Sequence, residues 1–549
     1  MPKKKPKRAR IVFCSAFLLI ILLGILFRLH NIKNFGFFEY DIYFYFGVAQ
    51  HTLANHLIIP TPLPHSGFPI KNNFSEKPGL IYILLSAYLV AKLFLPNITL
   101  YTIVRLIPVL FGIFGMLEAY VLAYSMTRDR NTAIVSMLIM AVLPAAVMRT
   151  QATEYRGETY VPVLLGAIFI SILGYQKAKS IFSYKFLLSL IAGAVLLFIA
   201  LVSWIGSYYL LAVLGFLAII AVSFKITSSK LRAVLITLFA GIILWLLGWL
   251  LLPHLLPGYY NYLQTNKYMF ESIIETQPIS ISSIQMYLNS TVLLAPFGIL
   301  LYAFRKRTNF GDLTFMMLFA NLLVVALLLS AQLRWITLIA LPISVFSAYF
   351  ISETLGISST SNKRISAKYR KIAQVVAGVI IVSIIISSAG TQFTENASGI
   401  IPSGFQSAIL WVRSSTPPNS TFLIEWQEGS VIESLANRTV YVDSVDKGQN
   451  ATEIYNLSRF LFTKGYNFTY LREVKPNYLM LRYAWYNESY GLEIEGNLTN
   501  VSINSTNMHL LLNNSNSSVE NAGIVLEKVF SNNDTVIYKV SYFNSSYNA

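Results

Sequence analysis

The amino-acid sequence predicts a polytopic α-helical membrane protein that ends in a soluble domain of mixed α and β structure. Its 549 residues are 55% hydrophobic and 12% charged, whereas ordinary soluble domains are roughly 25% charged. Long apolar runs continue to about residue 389, and beyond that point Asn, Ser, Thr and Tyr become frequent. We therefore expect a transmembrane domain over 1–389 and an external globular domain over 390–549.

The N-terminus is a basic segment followed by an apolar run over residues 11–29. This run is about as long as a membrane span requires and no small-residue cleavage site follows it, so we interpret it as a retained helix rather than a signal peptide. Lys and Arg cluster in short loops between apolar segments, which is typical of cytoplasmic loops and places the N-terminus inside. The net charge of +17 therefore indicates orientation rather than nucleic-acid binding. Cys14 is the single cysteine, which excludes an intrachain disulfide.

The next residues, 30–99, are predicted to form one large external loop. They contain the apolar run GLIYILLSAYLVAKLFL, which we interpret as an interfacial or re-entrant helix, because a span there would place Arg128 and Arg130 outside. A second external loop is predicted over 253–289. Ten further spans are predicted at 100–124, 132–148, 159–175, 184–204, 206–223, 232–252, 290–304, 313–330, 333–351 and 372–389. With the first helix they make eleven spans, which leaves the C-terminus outside.

The C-terminal region has the short alternating patterns of β-strands. The strings RTVYVDS, NYLMLRY and DTVIYKVSYF are predicted strands, and EIYNLSRFLFTKGY is a predicted helix. The region is also dense in Asn-x-Ser/Thr triplets, which either accept glycans or follow from its Asn/Ser/Thr-rich composition. These triplets include Asn396, Asn437, Asn467, Asn497 and Asn533.

Carboxylates from three predicted external loops fall on one side of the membrane. Asp41 lies just beyond the first helix, Glu154 and Glu158 lie in the next external loop, and Glu275 lies in a polar stretch between two apolar blocks. Carboxylate oxygens are the ligands that hard divalent cations prefer. Solvated caps and acidic residues at helix starts are the structural alternative.

Short motifs around these carboxylates resemble those of the oligosaccharyltransferase family, in the family's chain order. Asp41 lies in FFEYDIYFYF, which is similar to the family's first acidic motif, and Glu275 lies in SIIETQP, which is similar to its external catalytic loop. The second acidic motif begins at Arg149 and places metal ligands seven and nine residues later. Glu158 fits, but Arg156 cannot ligate a cation, so either Glu154 substitutes from one turn away or a metal takes fewer protein ligands.

Two further matches lie later in the chain. Arg334, at the outer end of a predicted span, resembles the family's Arg near the lipid-linked phosphate; a snorkelling anchor is the alternative. The run Glu425, Trp426, Gln427, Glu428 and Gly429 resembles the Trp-Trp-Asp-Tyr-Gly element that reads the acceptor's hydroxyl residue, with the second Trp and the Gly retained. An amide at Gln427 in place of Asp predicts a weaker contact with that hydroxyl.

The resemblance implies a GT-C type membrane glycosyltransferase, similar to the short archaeal single-subunit forms, in which thirteen spans are typical. It implies transfer of an oligosaccharide from a polyprenyl or dolichyl (di)phosphate to Asn in Asn-x-Ser/Thr, at the external face of the cell membrane and with inversion. It implies as partners a lipid-linked donor, acceptor polypeptides and membrane lipid, without nucleic acid or obligate subunits. The implied site residues are Asp41 and Glu275 for catalysis, Asp41, Glu158 and Glu154 for Mn²⁺ or Mg²⁺, Arg334 for the donor phosphate, and Glu275, Trp426, Gln427, Glu428 and Gly429 for the acceptor.

Two other function classes remain open at this point. A protein O-mannosyltransferase would share the external acidic loop but would lack the SIIETQP loop and an acceptor-reading domain. A transporter would place paired polar residues at mid-membrane depth, whereas the predicted spans are almost uniformly apolar.

Overall fold

A computed structural model gives the structure of the protein. It describes residues 7–37, 39–68, 73–74, 76–176, 184–226, 243, 278–304, 309–329, 332–355, 367–395, 401–443, 451–463, 465–483 and 506–543. Glu275, with most of its SIIETQP motif, and the predicted span 232–252, apart from Ile243, lie outside the described residues.

The transmembrane domain is built from helices throughout its described part. They are α1 (Lys7–Leu29), α2 (Tyr40–Ala54), α3 (Gly79–Phe94), α4 (Leu100–Thr127), α5 (Arg130–Val142), α6 (Pro144–Met148), α7 (Gly157–Gln176), α8 (Tyr184–Ser203), α9 (Tyr209–Ile226), α10 (Ile281–Leu288), α11 (Thr291–Ala303), α12 (Asn309–Leu329), α13 (Ala340–Thr354) and α14 (Ala367–Glu395). A 3-10 helix, Leu333–Ile339, leads into α13.

Capping residues fix where these helices begin. Thr99 accepts a hydrogen bond from the Thr102 amide at the start of α4, and Asp129 accepts one from the Thr132 amide at the start of α5. Between the two helices, Arg128 has a left-handed backbone conformation with φ 59°. One such residue ends α4 and lets α5 pack back along it.

Seven helical segments of the described chain are long and apolar enough to cross a membrane, or eight if the bent pair α10 and α11 is one span. Shorter apolar helices lie at Gly79–Phe94, Arg130–Val142 and Leu187–Ser203. The prediction of a polytopic α-helical membrane protein is confirmed, and the number of spans stays a prediction. The helix at Gly79–Phe94, predicted as interfacial or re-entrant, packs against α2, α4 and α8.

The C-terminal domain contains one mixed six-stranded sheet with helices around it, as predicted. Strand order is β2-β1-β3-β6-β5-β4, with β2, β1 and β3 parallel and the other pairs antiparallel. The strands are β1 (Thr421–Leu423), β2 (Thr439–Val440), β3 (Tyr478–Arg482), β4 (Ser518–Asn521), β5 (Ile524–Ser531) and β6 (Thr535–Tyr542). The helices are α15 (Ser403–Ser415), α16 (Trp426–Val431), α17 (Ala451–Phe462), α18 (Thr469–Val474) and α19 (Asn507–Leu512).

The two domains are joined through the first large loop. Helix α16 packs against α2, and the carbonyl of His65 accepts a hydrogen bond from the Val440 amide of β2 at 3.2 Å. The Ser66 hydroxyl donates to the carboxylate of Asp443. The sheet domain is therefore held against the same segment that carries Asp41.

Candidate active site

The loop 149–156 between α6 and α7 is buried along its whole length. Its backbone is tied to two other elements, because the Ala152 amide donates to the carbonyl of Arg28 at 2.6 Å and the Thr153 amide donates to the carbonyl of Arg105 at 3.0 Å. From the first turn of α7, the Thr159 hydroxyl accepts from the Arg156 amide at 3.0 Å and donates to the Glu154 carbonyl at 2.9 Å. These bonds fix the backbone from which the charged side chains of the loop extend.

Four carboxylates and three guanidinium groups meet where this loop faces the N-terminus of α2. Asp41 lies in the first turn of α2 and Glu158 in the first turn of α7, positions at which a helix favours negative charge. We call this group the charged cluster; it consists of Glu39, Asp41, Glu154, Glu158, Arg149, Arg156 and Arg334.

Arg156 lies at the centre of the charged cluster, with its side chain only 6% exposed. Its Nη1 is 3.4 Å from Glu39 Oε1, its Nη2 is 3.6 Å from Asp41 Oδ2, and its Nε is 3.8 Å from Glu158 Oε2. Arg334 closes the other side, where its Nη2 donates to Glu158 Oε1 at 3.1 Å. The fold thus brings Asp41 and Glu158 together with Arg334, although the group between the two carboxylates is a guanidinium.

Glu154 serves a different partner. Its carboxylate is fully buried, and its Oε1 accepts from Arg149 Nη1 at 2.5 Å, while the same guanidinium nitrogen is 3.2 Å from Glu39. A buried guanidinium needs a counter-charge close by, because its desolvation is otherwise costly. The structure therefore places the predicted substitute metal ligand in an ion pair with Arg149.

The described residues do not fit a divalent metal. Among them, no group of three His, Cys, Asp or Glu side chains could hold such an ion. Of the three predicted ligands, Asp41 and Glu158 converge, but the positive charge of Arg156 lies between them. A cation at that position would be repelled by the guanidinium.

Tyr45 adds a hydroxyl to the same region. Burial raises the pKa of Tyr45 well above its ordinary value, and the charges of Glu76 and Asp41 raise it further. The hydroxyl therefore stays protonated and can donate a hydrogen bond over the whole physiological pH range.

Next to Glu76 in the chain, the ammonium of Lys77 donates to the carbonyl of Leu201 at 2.9 Å and to the Tyr208 hydroxyl at 2.8 Å.

An aromatic wall stands beside Arg334. The ring centroids of Trp204 and Trp335 are 5.5 Å apart, and those of Tyr209 and Trp335 are 6.2 Å apart. Trp204 lies directly on the backbone at Gly157, where an added Cβ would come within 2.2 Å of the indole. The sequence analysis did not identify these rings or Tyr45 as site residues. The sequence signals for the rings are Trp335, next to Arg334, and Trp204, at the end of the predicted span 184–204.

The predicted acceptor element, at α16, packs against α2. Glu425 caps α16 by accepting from the Gln427 amide at 2.8 Å. Trp426 and Glu428 are buried, whereas Gln427 is partly exposed. Glu425 and Gln427 are therefore the members of this element whose side chains remain partly accessible.

Glu428 forms part of the contact between the domains. Its carboxylate pairs with Arg482 of β3 and accepts from the Tyr40 hydroxyl at 3.5 Å. Arg482 also binds Asp534 through Nε at 2.9 Å. Since Tyr40 is next to Asp41 in the chain, this network connects the acceptor element to the charged cluster.

Gly429 allows the element to lie close to the strand region after β2. A Cβ at this position would be 2.2 Å from the carbonyl oxygen of Val442. Replacing Gly429 by alanine is expected to cost about 1–3 kcal/mol through overpacking, measured as a lower midpoint of thermal unfolding. Gly378→Ala is the matched control, because nothing lies within 4 Å of a Cβ there. Equal midpoints for the two variants would contradict this packing.

Comparisons with known proteins agree with the resemblance at the level of fold. No protein-family model matches the chain, and no curated protein matches its sequence. Archaeal oligosaccharyltransferase AglB from Archaeoglobus fulgidus, in complex with an inhibitory peptide and a dolichol-phosphate, is 14% identical, with a TM-score of 0.69 over 90% of this chain and 72% of that one. A structure of the A. fulgidus oligosaccharyltransferase with zinc and sulfate is 15% identical, with a TM-score of 0.65 over 87% and 69% of the two chains.

A second protein of known structure shares the same general architecture. ArnT from Cupriavidus metallidurans, bound to undecaprenyl phosphate, is 9% identical, with a TM-score of 0.51 over 97% of this chain and 98% of that one. At these identities the likeness concerns the fold. The chain thus has the GT-C type fold, and its structure is similar to that of an archaeal oligosaccharyltransferase over most of its length.

Proposed function

We propose that this protein is an oligosaccharyltransferase that moves an oligosaccharide from a polyprenyl or dolichyl (di)phosphate to the side-chain amide of Asn in Asn-x-Ser/Thr. One observation carries the proposal: helix α2 bears Asp41 in the charged cluster and packs against the acceptor element at α16. A donor phosphate at Arg334 and a peptide at Gln427 would both lie next to this helix. The peptide and dolichol-phosphate in the A. fulgidus structure agree with such a pair of substrates.

The chemical difficulty is the weak nucleophilicity of the amide nitrogen, whose lone pair is delocalised into the carbonyl. Asp41 and Glu275 would accept hydrogen bonds from the two amide protons and turn the nitrogen out of conjugation. The nitrogen then attacks the anomeric carbon as the bond from that carbon to the phosphate oxygen breaks. One amide proton passes to a carboxylate, the (di)phosphate leaves with the electron pair, and the anomeric configuration inverts.

Arginine side chains can stabilise the departing phosphate. Arg334 is 28% exposed, so part of its guanidinium remains accessible to a lipid-linked anion, to which guanidinium groups bind in a bidentate manner. In the aromatic wall, Trp204 and Tyr209 are buried and Trp335 is partly exposed, so Trp335 would face the prenyl or sugar portion of the donor. The sequence analysis predicted Mn²⁺ or Mg²⁺, but the described residues of the charged cluster do not fit such an ion, and no step of the proposed transfer depends on a metal.

Glu275→Gln is expected to lower turnover by at least about 100-fold, since a carboxylate that polarises the acceptor amide acts mainly in the transition state. The midpoint of thermal unfolding should change little, because the amide has nearly the same shape as the carboxylate. The measurement is the initial rate of glycopeptide formation at saturating peptide. Normal turnover by this variant would remove Glu275 from the mechanism.

The proposal is tested with detergent-solubilised membranes, a native lipid extract and a fluorescent Asn-x-Thr peptide. Glycopeptide formation that is lost when the acceptor Asn is replaced by Gln is the expected result. A protein O-mannosyltransferase would instead modify a Ser/Thr peptide that lacks Asn. If a verified donor pool gives no product with either peptide, the proposed transfer is wrong.

A further inference from the structure

We propose that the guanidinium of Arg156 takes the place of a divalent cation in the charged cluster, so that this protein works without a metal. The part of this inference that concerns transfer rests on the proposed function, whereas the part that concerns cation binding does not. The A. fulgidus oligosaccharyltransferase, which has a similar fold, is known in complex with zinc and sulfate. The charged cluster of the present chain has an arginine among its acidic residues.

The geometry gives Arg156 the contacts expected of a central cation. Three of its nitrogens each lie 3.4–3.8 Å from a different carboxylate, on Glu39, Asp41 and Glu158. The first two of these belong to the start of α2 and the third to the start of α7. A single guanidinium therefore holds two helix N-termini together, as a metal ion does when its ligands come from different elements.

The position of Arg156 is fixed by its surroundings. Its side chain is 6% exposed, and its backbone amide is held by Thr159. A guanidinium keeps its charge at any physiological pH. A divalent ion could bind here only by displacing the buried guanidinium or at the energetic cost of repulsion by its positive charge.

The balance of charges gives Arg156 a role toward the substrate. The charged cluster contains four carboxylates and three guanidinium groups, so its formal net charge is −1, and removing Arg156 would make it −2. The more negative cluster would repel an anionic donor phosphate more strongly. Arg149 is directed to Glu154 and Arg334 to Glu158. Arg156 is thus the positioning residue that offsets the charge of Asp41 and keeps its carboxylate beside Glu158.

The test compares the wild-type protein with Arg156→Asp, which restores an acidic residue at this position, and with Arg156→Lys, which keeps a cation. Each protein is purified in non-ionic detergent, freed of metal with EDTA and titrated with Mn²⁺, and binding is measured as loss of the electron paramagnetic resonance signal of free Mn²⁺. We expect no stoichiometric binding by the wild-type protein or Arg156→Lys at micromolar Mn²⁺. Arg156→Asp should bind one ion at least tenfold more tightly.

Transfer activity supplies the second readout. EDTA should change the wild-type rate by less than twofold, whereas Arg156→Asp should be inactive in EDTA and recover at least tenfold with Mn²⁺. Stoichiometric Mn²⁺ binding by the wild-type protein, or loss of its activity in EDTA, would overturn the inference. If Arg156→Asp does not fold, the wild-type and Arg156→Lys titrations still decide. Absence of transfer in every metal state from a verified donor would instead contradict the proposed function, and the titration would then decide the inference alone.

Discussion

Replacing Asp41 by asparagine is expected to lower glycan transfer by at least about 100-fold, the usual cost of removing a preorganised charged group that acts on the reacting atoms. Asp41 is about one quarter exposed and lies 3.6 Å from Arg156, so its carboxylate can reach a bound peptide while its charge stays balanced. Asparagine has the same shape but cannot take a proton from the acceptor amide. The effect should fall on turnover rather than on peptide affinity.

The measurement is the initial rate over a range of peptide concentrations, together with the thermal unfolding midpoint. Glu473→Gln is the matched control, because it makes the same acid-to-amide change at an exposed position of α18. The control should keep the wild-type rate and both variants should unfold near the wild-type temperature. A rate for Asp41→Asn within threefold of the control would exclude Asp41 from the chemical step.

Replacing Arg482 by methionine is expected to give the largest loss of stability, about 3–5 kcal/mol for the C-terminal domain. Arg482 is buried between Glu428 and Asp534, and its guanidinium carbon lies 4.3 Å from the ring centroid of Phe405. Burial by itself would lower the pKa of Arg482, but Glu428 and Asp534 raise it above the ordinary arginine value. Methionine fills much of the same volume and leaves both carboxylates without this charge.

The change should also reach activity, since Glu428 joins α16 to Tyr40 of α2. Chemical denaturation and limited proteolysis measure the loss of stability, and Arg472→Met, at an exposed site, is the control with an expected change within about 0.5 kcal/mol. Adding Glu428→Gln to Arg482→Met should recover part of the loss, because one buried charge is removed. A denaturation midpoint equal to that of the control would show that this network is dispensable.

Topology and local motifs made much of the site predictable. The positive-inside pattern placed the loops of Asp41 and Glu158 on one side, and the structure brings those two residues to one cluster with Arg334. The role of Glu154 was not predictable in this way. Its partner Arg149 is five residues away, and whether two such side chains pair or point apart depends on the buried loop that joins α6 to α7.

In the C-terminal domain, too, single helices and strands were predictable from local sequence, whereas contacts between residues distant in the chain were not. Alternating apolar residues predicted β2, β3 and β6 and the helix at Ala451–Phe462, because these patterns depend on one segment at a time. The pairing of Glu428 with Arg482 joins residues 54 positions apart, and no local pattern indicates it. The motif assigns Glu428 to the acceptor, but the ion pair with Arg482 buries it at the contact between the domains.

The central claim is that the acceptor atom is the amide nitrogen of an asparagine. It is tested most directly by mass-spectrometric mapping of the modified residue in a peptide that carries one Asn-x-Thr site and separate serines, incubated with the purified protein and a lipid-linked donor. We predict a glycan on the asparagine alone, and none when the Thr of the site is replaced by Ala. A glycan on serine or threonine, or on the lipid fraction with no peptide product, would contradict the account.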